Sequence, residues 1–272
     1  MQGADQVGGF AGFILKSYNT RDVYSMGAVS GADEVGGLVG YIQNGGLSTS
    51  FATGYVHAQT VNQGGLVGAV DNVNDLMANS YFNTQTTGQS VGVRPSGGIF
   101  TGPYLGVAGQ TTAQLQSSLP AGFGMAAWGT TGAGLYPYLT GIFASTPQAI
   151  AGAASTDLGA AAAGGEVALY QGGALLGYGT VSVGADGSFY DGVAPGTLAA
   201  SGVKIGATLT LSGASAVSGS TYTDAGGVAN NVLPFGNIAS ASVQQTTTRT
   251  AYSGLQTDLD ATFGSPTTRR YG

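Results

Sequence analysis

The chain has no cysteine, one histidine, one tryptophan and few charges, 7 basic and 13 acidic among 272 residues. Without cysteine there are no disulfides, thiolate nucleophiles or cysteine metal sites, a composition that suits a secreted chain crossing membranes unfolded. A single histidine, His57, excludes a histidine-built metal cluster and leaves a Ser-His-Asp arrangement only one base. Beside Val56 at a strand end, His57 reads as a solvent-facing polar residue. The only basic pair is Arg269-Arg270, so the chain carries no electrostatic footprint for a phosphate backbone, and no nucleic-acid partner is expected. Long hydrophobic runs are also missing. The longest bland stretch, Ala149 to Ala163, is Ala-rich, broken by Asp157 and too short to span a bilayer. Met1-Gln2-Gly3-Ala4-Asp5 lacks a basic region followed by an apolar run, so a secretion signal is expected to lie outside this sequence.

What is present in quantity is glycine, 50 residues, with 43% hydrophobic residues, 14 tyrosines and 10 phenylalanines. Disordered chains are poor in apolar residues, so this chain should fold, and its length suffices for one large or two ordinary domains. Where charge is scarce, Ser, Thr, Asn and Gln take over the surface; they fit water-facing strands and turns better than helices. The expected class is all-β.

Internal repeats carry the strongest local signal. Val7-Gly8-Gly9-Phe10-Ala11-Gly12 recurs as Val35-Gly36-Gly37-Leu38-Val39-Gly40 and Gln63-Gly64-Gly65-Leu66-Val67-Gly68, each 28 residues on. Between them Val23-Tyr24-Ser25-Met26-Gly27-Ala28-Val29 matches Ser50-Phe51-Ala52-Thr53-Gly54-Tyr55-Val56 at a spacing of 27, with a looser copy at Asn79-Ser80-Tyr81-Phe82. Five or six small and apolar residues between glycines are too few for a helix and alternate well enough to put Leu38 and Leu66 on one face. One unit cannot bury that face; stacked units bury it, with equivalent strands about 4.8 Å apart and like side chains in ladders. The architecture expected is a parallel β-helix-like solenoid whose glycine pairs permit positive φ at sharp corners.

The alternation of Gly-Gly-Leu-Val-Gly with Ser-(Tyr/Phe)-Ala-Thr-Gly-x-Val over roughly residues 7–90 resembles the GLUG repeat of filamentous-haemagglutinin-like bacterial exoproteins. Asn79-Ser80-Tyr81-Phe82-Asn83-Thr84-Gln85-Thr86-Thr87-Gly88-Gln89, Thr111-Thr112-Ala113-Gln114-Leu115, Trp128-Gly129 and Gly134-Leu135-Tyr136-Pro137-Tyr138-Leu139 resemble the segment that often lies C-terminal to such repeats. The resemblance implies a right-handed coil within a large secreted surface protein, exported by a two-partner or autotransporter route through an outer-membrane partner. Attachment to surface glycans or proteins is the function it implies. The first repeat departs from the pattern, with Phe10-Ala11 where the others have Leu-Val, as a terminal coil would.

Thr111 or Thr112 is suited to cap a short helix running through Leu119 and ended by Pro120. The aromatics from Phe123 to Phe143, among them Trp128, Tyr136 and Tyr138, are expected to cover the last coil, with stacking on sugar rings as the alternative. The expected organisation is thus a solenoid with its aromatic cap over 1–143, an Ala/Gly/Ser-rich linker over 144–165, a β-sandwich-like module over 166–250 and a tail over 251–272. Glu166 to Tyr170, Ala174 to Gly177, Thr180 to Val183, Ser188 to Tyr190 and Val203 to Leu211 read as strands, with Asp186-Gly187 as a hairpin turn. This half loosely resembles immunoglobulin-like modules of bacterial surface proteins. Leu255, Leu259 and Phe263 are spaced for a short amphipathic helix.

A glycosidase on a β-helix needs carboxylates gathered in a cleft; Asp33-Glu34 and the pair Asp71 and Asp75 are the nearest candidates. Asp33 precedes Asp71 by 38 residues, not by one repeat, so solvated loop positions are the expected reading. Asp71-Asn72-Val73-Asn74-Asp75 concentrates oxygen ligands but lacks the glycine and distal glutamate of a calcium loop, and Asx turns account for it. No Gly-Lys-Ser/Thr follows the glycine pairs, which excludes a phosphate loop. An ice-binding face is also not expected, because Thr53, Thr86 and Thr111 share no period. No catalytic, cofactor or metal residue is therefore assigned. The function expected is structural and adhesive and not enzymatic, the alternative being a carbohydrate-binding or carbohydrate-degrading β-helix.

Overall fold

The computed structural model describes residues 1–71, 76–95, 106–156, 158–171, 173–198, 204–211, 218–224 and 231–239. They form two compact units, one built on Met1–Thr146 with Ser182–Asp186, the other on Pro147–Val181 and the residues from Gly187 onward.

The first unit is a β-solenoid of about three turns. Its first coil holds β1 (Asp5–Gly8), β2 (Ala11–Leu15), β3 (Thr20–Arg21), β4 (Tyr24–Ser25) and β5 (Val29–Gly31). The second repeats these as β6 (Asp33–Gly36), β7 (Val39–Gln43), β8 (Gly46–Ser48), β9 (Phe51–Ala52) and β10 (Val56–Ala58). The third runs β11 (Gln63–Gly64), β12 (Val67–Val70), β13 (Leu76–Ala78) and β14 (Ser80–Asn83), and β15 (Val93–Pro95) and β16 (Val107–Gln110) add one further rung to two of the sheets. Every coil-to-coil pairing is parallel and joins equivalent residues: Val7 to Val35, Ile14 to Ile42 to Val70, and Tyr24 to Phe51 to Tyr81. Leu38 and Leu66 are fully buried in a core shared with Ile42, Leu47, Ala52, Val67 and Phe82. A smaller core gathers Val7, Val29, Val35, Val56 and Ala58. Beyond the coils, β17 (Trp128–Gly129) and β18 (Tyr138–Leu139) form a short antiparallel pair.

The glycine pairs act differently from the sequence expectation. None of Gly8, Gly9, Gly36, Gly37, Gly64 or Gly65 has positive φ. They are needed because backbone passes where a Cβ would sit. One on Gly36 would lie 2.0 Å from the Val39 carbonyl oxygen, and one on Gly37 would lie 2.3 Å from that of Gly65. The left-handed corners fall instead on Gln6 and Glu34, on Lys16 and Asn44, and on Asp22, Thr49 and Asn79, all with φ between 45° and 57°.

The second unit is two sheets. One has the order β22 (Ser188–Val193), β19 (Gln148–Ser155), β25 (Val232–Ala239); the other runs β21 (Ala174–Ser182), β20 (Glu166–Gln171), β23 (Lys204–Thr210), β24 (Ser218–Asp224). The stretch expected as a linker thus contains an eight-residue central strand, β19, paired antiparallel with β22 and parallel with β25. The two strands expected over 174–183 are one, and the Asp186-Gly187 turn does not close a hairpin, because β21 and β22 lie in different sheets. The expected helix at Leu255, Leu259 and Phe263 falls outside the described residues.

Candidate functional site

The aromatic segment was expected at the end of the last coil; it lies along the flank of all three. Ser25, Ala52 and Phe82 face the glycine pairs, since a Cβ on Gly9, Gly37 or Gly65 would strike them at 2.0, 2.8 and 2.2 Å respectively. Side chains alternate along a strand, so Tyr24, Phe51 and Tyr81 project from the opposite face. Trp128 packs on Tyr24 at 6.0 Å and on Phe51 at 5.7 Å, and Phe123 on Phe51 at 6.3 Å and on Tyr81 at 5.8 Å. Tyr136 stacks on Phe51 at 6.4 Å. Trp128, Phe123 and Tyr136 are buried by this packing, which leaves them no open ring face for a sugar.

Asn83, fully buried at the end of β14, ties this segment to the third coil. Its Nδ2 donates to Thr112 Oγ1 at 2.8 Å and to the Tyr136 hydroxyl at 2.9 Å, while its Oδ1 accepts from the backbone N–H of Gln85 and Thr86. Burial pushes the Tyr136 phenol up to about 12. Thr111 caps helix α1 (Thr112–Leu115) through a reciprocal box with Gln114, and the helix stops four residues short of the expected Leu119.

The acidic candidates are spread over the coils and used one by one. Asp33, at the start of β6, accepts from the Thr60 hydroxyl one coil on and from the Glu34 N–H; these bonds, the Thr60 one foremost, hold its carboxyl below the usual carboxylate range. Glu34 occupies a left-handed corner. Asp71, exposed after β12, accepts the Asn44 N–H at 3.4 Å. Asp75 falls outside the described residues. Asp22, which the sequence did not single out, accepts from the Thr49 hydroxyl at 2.7 Å. Each of these cross-coil bonds, to Thr60, Asn44 and Thr49, spans 27 residues, so the acids clasp neighbouring coils. Among the described residues, no three His, Cys, Asp or Glu side chains gather where they would hold a metal.

His57 is exposed on β10 opposite Ser30, its ring nearly parallel to that of Tyr55 at 6.2 Å. Strands β2, β7 and β12 follow the glycine pairs where a phosphate loop would need a helix. Thr53 and Thr86 are buried and Thr111 caps α1, so they share no face toward ice. The sequence did not flag Asp191. This inward residue of β22 has burial raising its carboxyl to about 6, and its Oδ2 has no hydrogen-bond partner among the described residues. Among the described residues, no helix is long and apolar enough to cross a membrane.

No family model matches the chain, and neither a curated protein nor a solved structure does.

Proposed function

We propose that this chain is a structural and adhesive segment of a large secreted bacterial surface protein, of the GLUG-repeat kind found in filamentous-haemagglutinin-like exoproteins. The observation that carries the reading is the coil-to-coil ladder, in which like residues stack in parallel register through about three turns. Such a ladder propagates along one axis and buries its core between neighbours, which makes a rod. The flanking aromatic segment stiffens it by bridging all three coils. The second unit is an immunoglobulin-like β-sandwich acting as spacer or contact module, a reading supported by its three- and four-stranded sheets and the antiparallel β20–β23 pair. In this proposal the coil is right-handed, the whole protein leaves the cell through an outer-membrane partner, and the rod presents its surface to glycans or proteins.

The test is a broad glycan and host-protein panel probed with the purified chain and with Asp33→Asn/Asp71→Asn, reading binding and product release separately. Binding without turnover, unchanged in the double variant, is the expected result. Turnover that disappears in the double variant would replace this reading with a carbohydrate-active enzyme.

A further inference from the structure

Along β22 the buried residues are Phe189, Asp191 and Val193, with half-buried Ser188, Tyr190 and Gly192 between them. An acid thus stands in the middle of an apolar row, 6% exposed, its Oδ2 without a partner among the described residues. What lies over it is bare backbone. A Cβ on Gly177 would stand 2.7 Å from Oδ2 and 2.9 Å from Oδ1, so the carboxyl fills the space that a side chain at 177 would take. Gly177 is itself exposed to solvent, which leaves β21 one backbone thick between the acid and water. The strand is also built to give way here. It is terminal in its sheet, next to β20. Gly173 just before it and Gly177 and Gly179 within it have φ of 83°, 63° and 138°, and glycines inside a strand weaken it. Buried Leu176 and the Thr180 hydroxyl, which donates to Glu166 Oε2 at 3.3 Å, seat the strand on either side of Gly177.

We propose that the Gly177 stretch of β21 is a proton-operated lid on Asp191: closed over the neutral acid, it opens when the acid ionises and lets water reach the charge. A carboxylate left dry in an apolar row is costly, and lifting one thin edge strand is the smallest motion that wets it. Lifting β21 gives up the burial of Leu176 and part of one edge ladder, whereas β22 is held by six residue pairs to the central strand β19. β19 and β25 carry no titratable residue, and β20, β21, β23 and β24 carry Glu166, Tyr170, Tyr178, Lys204, Tyr222 and Asp224. Phenols and amines of ordinary pKa titrate above about 9 and ordinary carboxyls near about 4, so Asp191 is the group placed to change charge around pH 6. With the lid open the acid returns toward its ordinary 3.8, against about 6 when closed, so opening grows as pH rises between these values and levels off above them. Opening also bares the edge of β20, so the proton decides whether this sheet ends in β21 or in an unpaired strand.

Hydrogen exchange of the full chain at pH 4.5 and 7.5, divided by the intrinsic rate at each pH, tests this on peptides covering β21, β19 and β23. Expected is a β21 that is at least about tenfold less protected than β19 and β23 at both pH values, and whose protection falls at least about tenfold from pH 4.5 to 7.5. Asp191→Asn, which keeps the neutral shape at every pH, should hold β21 at pH 7.5 as well protected as at pH 4.5. A β21 protection that ignores pH would show that its opening does not wet Asp191. One common protection for β21, β19 and β23 would show that the acid meets water only when the whole unit unfolds. Either result, or an Asp191→Asn chain whose β21 still loosens with rising pH, would overturn the proposal.

Discussion

The indole N–H of Trp128 donates to Asp22 Oδ1 at 2.9 Å across 106 residues of sequence, and the same oxygen accepts the Thr49 hydroxyl at 2.7 Å. One carboxylate thereby joins the first coil, the second coil and the flanking segment. Trp128→Ala removes this bond together with a ring packed on Tyr24, Phe51 and Phe123, and should destabilise the solenoid by about 3–5 kcal/mol. Trp128 is the only tryptophan, so in the wild type its fluorescence reports unfolding of the first unit alone. Denaturant titration of the variant then uses near-UV tyrosine signals.

Asn83→Ala should cost about 3 kcal/mol. It leaves the Gln85 and Thr86 amides without their acceptor and removes one of the hydrogen bonds at the buried Tyr136 hydroxyl, which also bonds Thr112. Asn83→Asp keeps the acceptor but loses both donated bonds, so a loss of similar size is expected. Thermal melts of the two variants check this; parity of Asn83→Ala with the wild type would refute it.

Two glycines separate close approach from mere flexibility. Gly37→Ala places a Cβ against the Gly65 backbone and should destabilise by about 3 kcal/mol. Gly27→Ala meets nothing within 4 Å, at a φ that is not positive, and should be neutral or stabilise by about 0.5 kcal/mol through the unfolded chain. Equilibrium unfolding of the pair decides whether the repeat glycines serve packing.

Asp191 makes the second unit sensitive to pH. Its folded value of about 6 stands above the ordinary 3.8, so the folded state holds the proton more tightly. The contribution of Asp191 is therefore fully present below the ordinary value and is lost as pH rises through about 6, amounting to about 3 kcal/mol at most. Asp191→Asn should flatten that dependence and stabilise the unit at pH 7.5 by about 1–3 kcal/mol. Hydrogen exchange of peptides covering β19 and β22 at pH 4.5 and 7.5 measures it, and a pH-independent wild type would refute it.

The coil was legible because a stacked repeat writes its period into the sequence: Leu38 and Leu66 sit on one face as their spacing required. The glycine corners misled because a Gly-Gly pair reads equally as left-handed backbone and as contact with a neighbouring strand; only the stacked coils show Gly37 against Gly65. The strand at 148–155 was hidden by its own small residues. Flanked by strands on both sides, it needs no large side chain, and Gly152 has to be small because a Cβ there would stand 2.6 Å from the Phe189 ring. For the acids, sequence separation suggested independent loops, and their cross-coil clasps with Thr60, Thr49 and Asn44 depend on register.

That register counts rungs and not residues. Ile14 and Ile42 pair at an interval of 28, Thr20 and Leu47 at 27, and Leu47 and Met77 at 30, yet these ladders stay aligned; the β12–β15 pair, at 26 from Val67 to Val93, shifts register before Val70. Corners absorb the surplus or deficit, so the connections between rungs are free to diverge in length and chemistry while the shaft keeps its pitch. A lineage can therefore vary the surface of such a coil by editing its connections, without having to rebuild the stack that carries them.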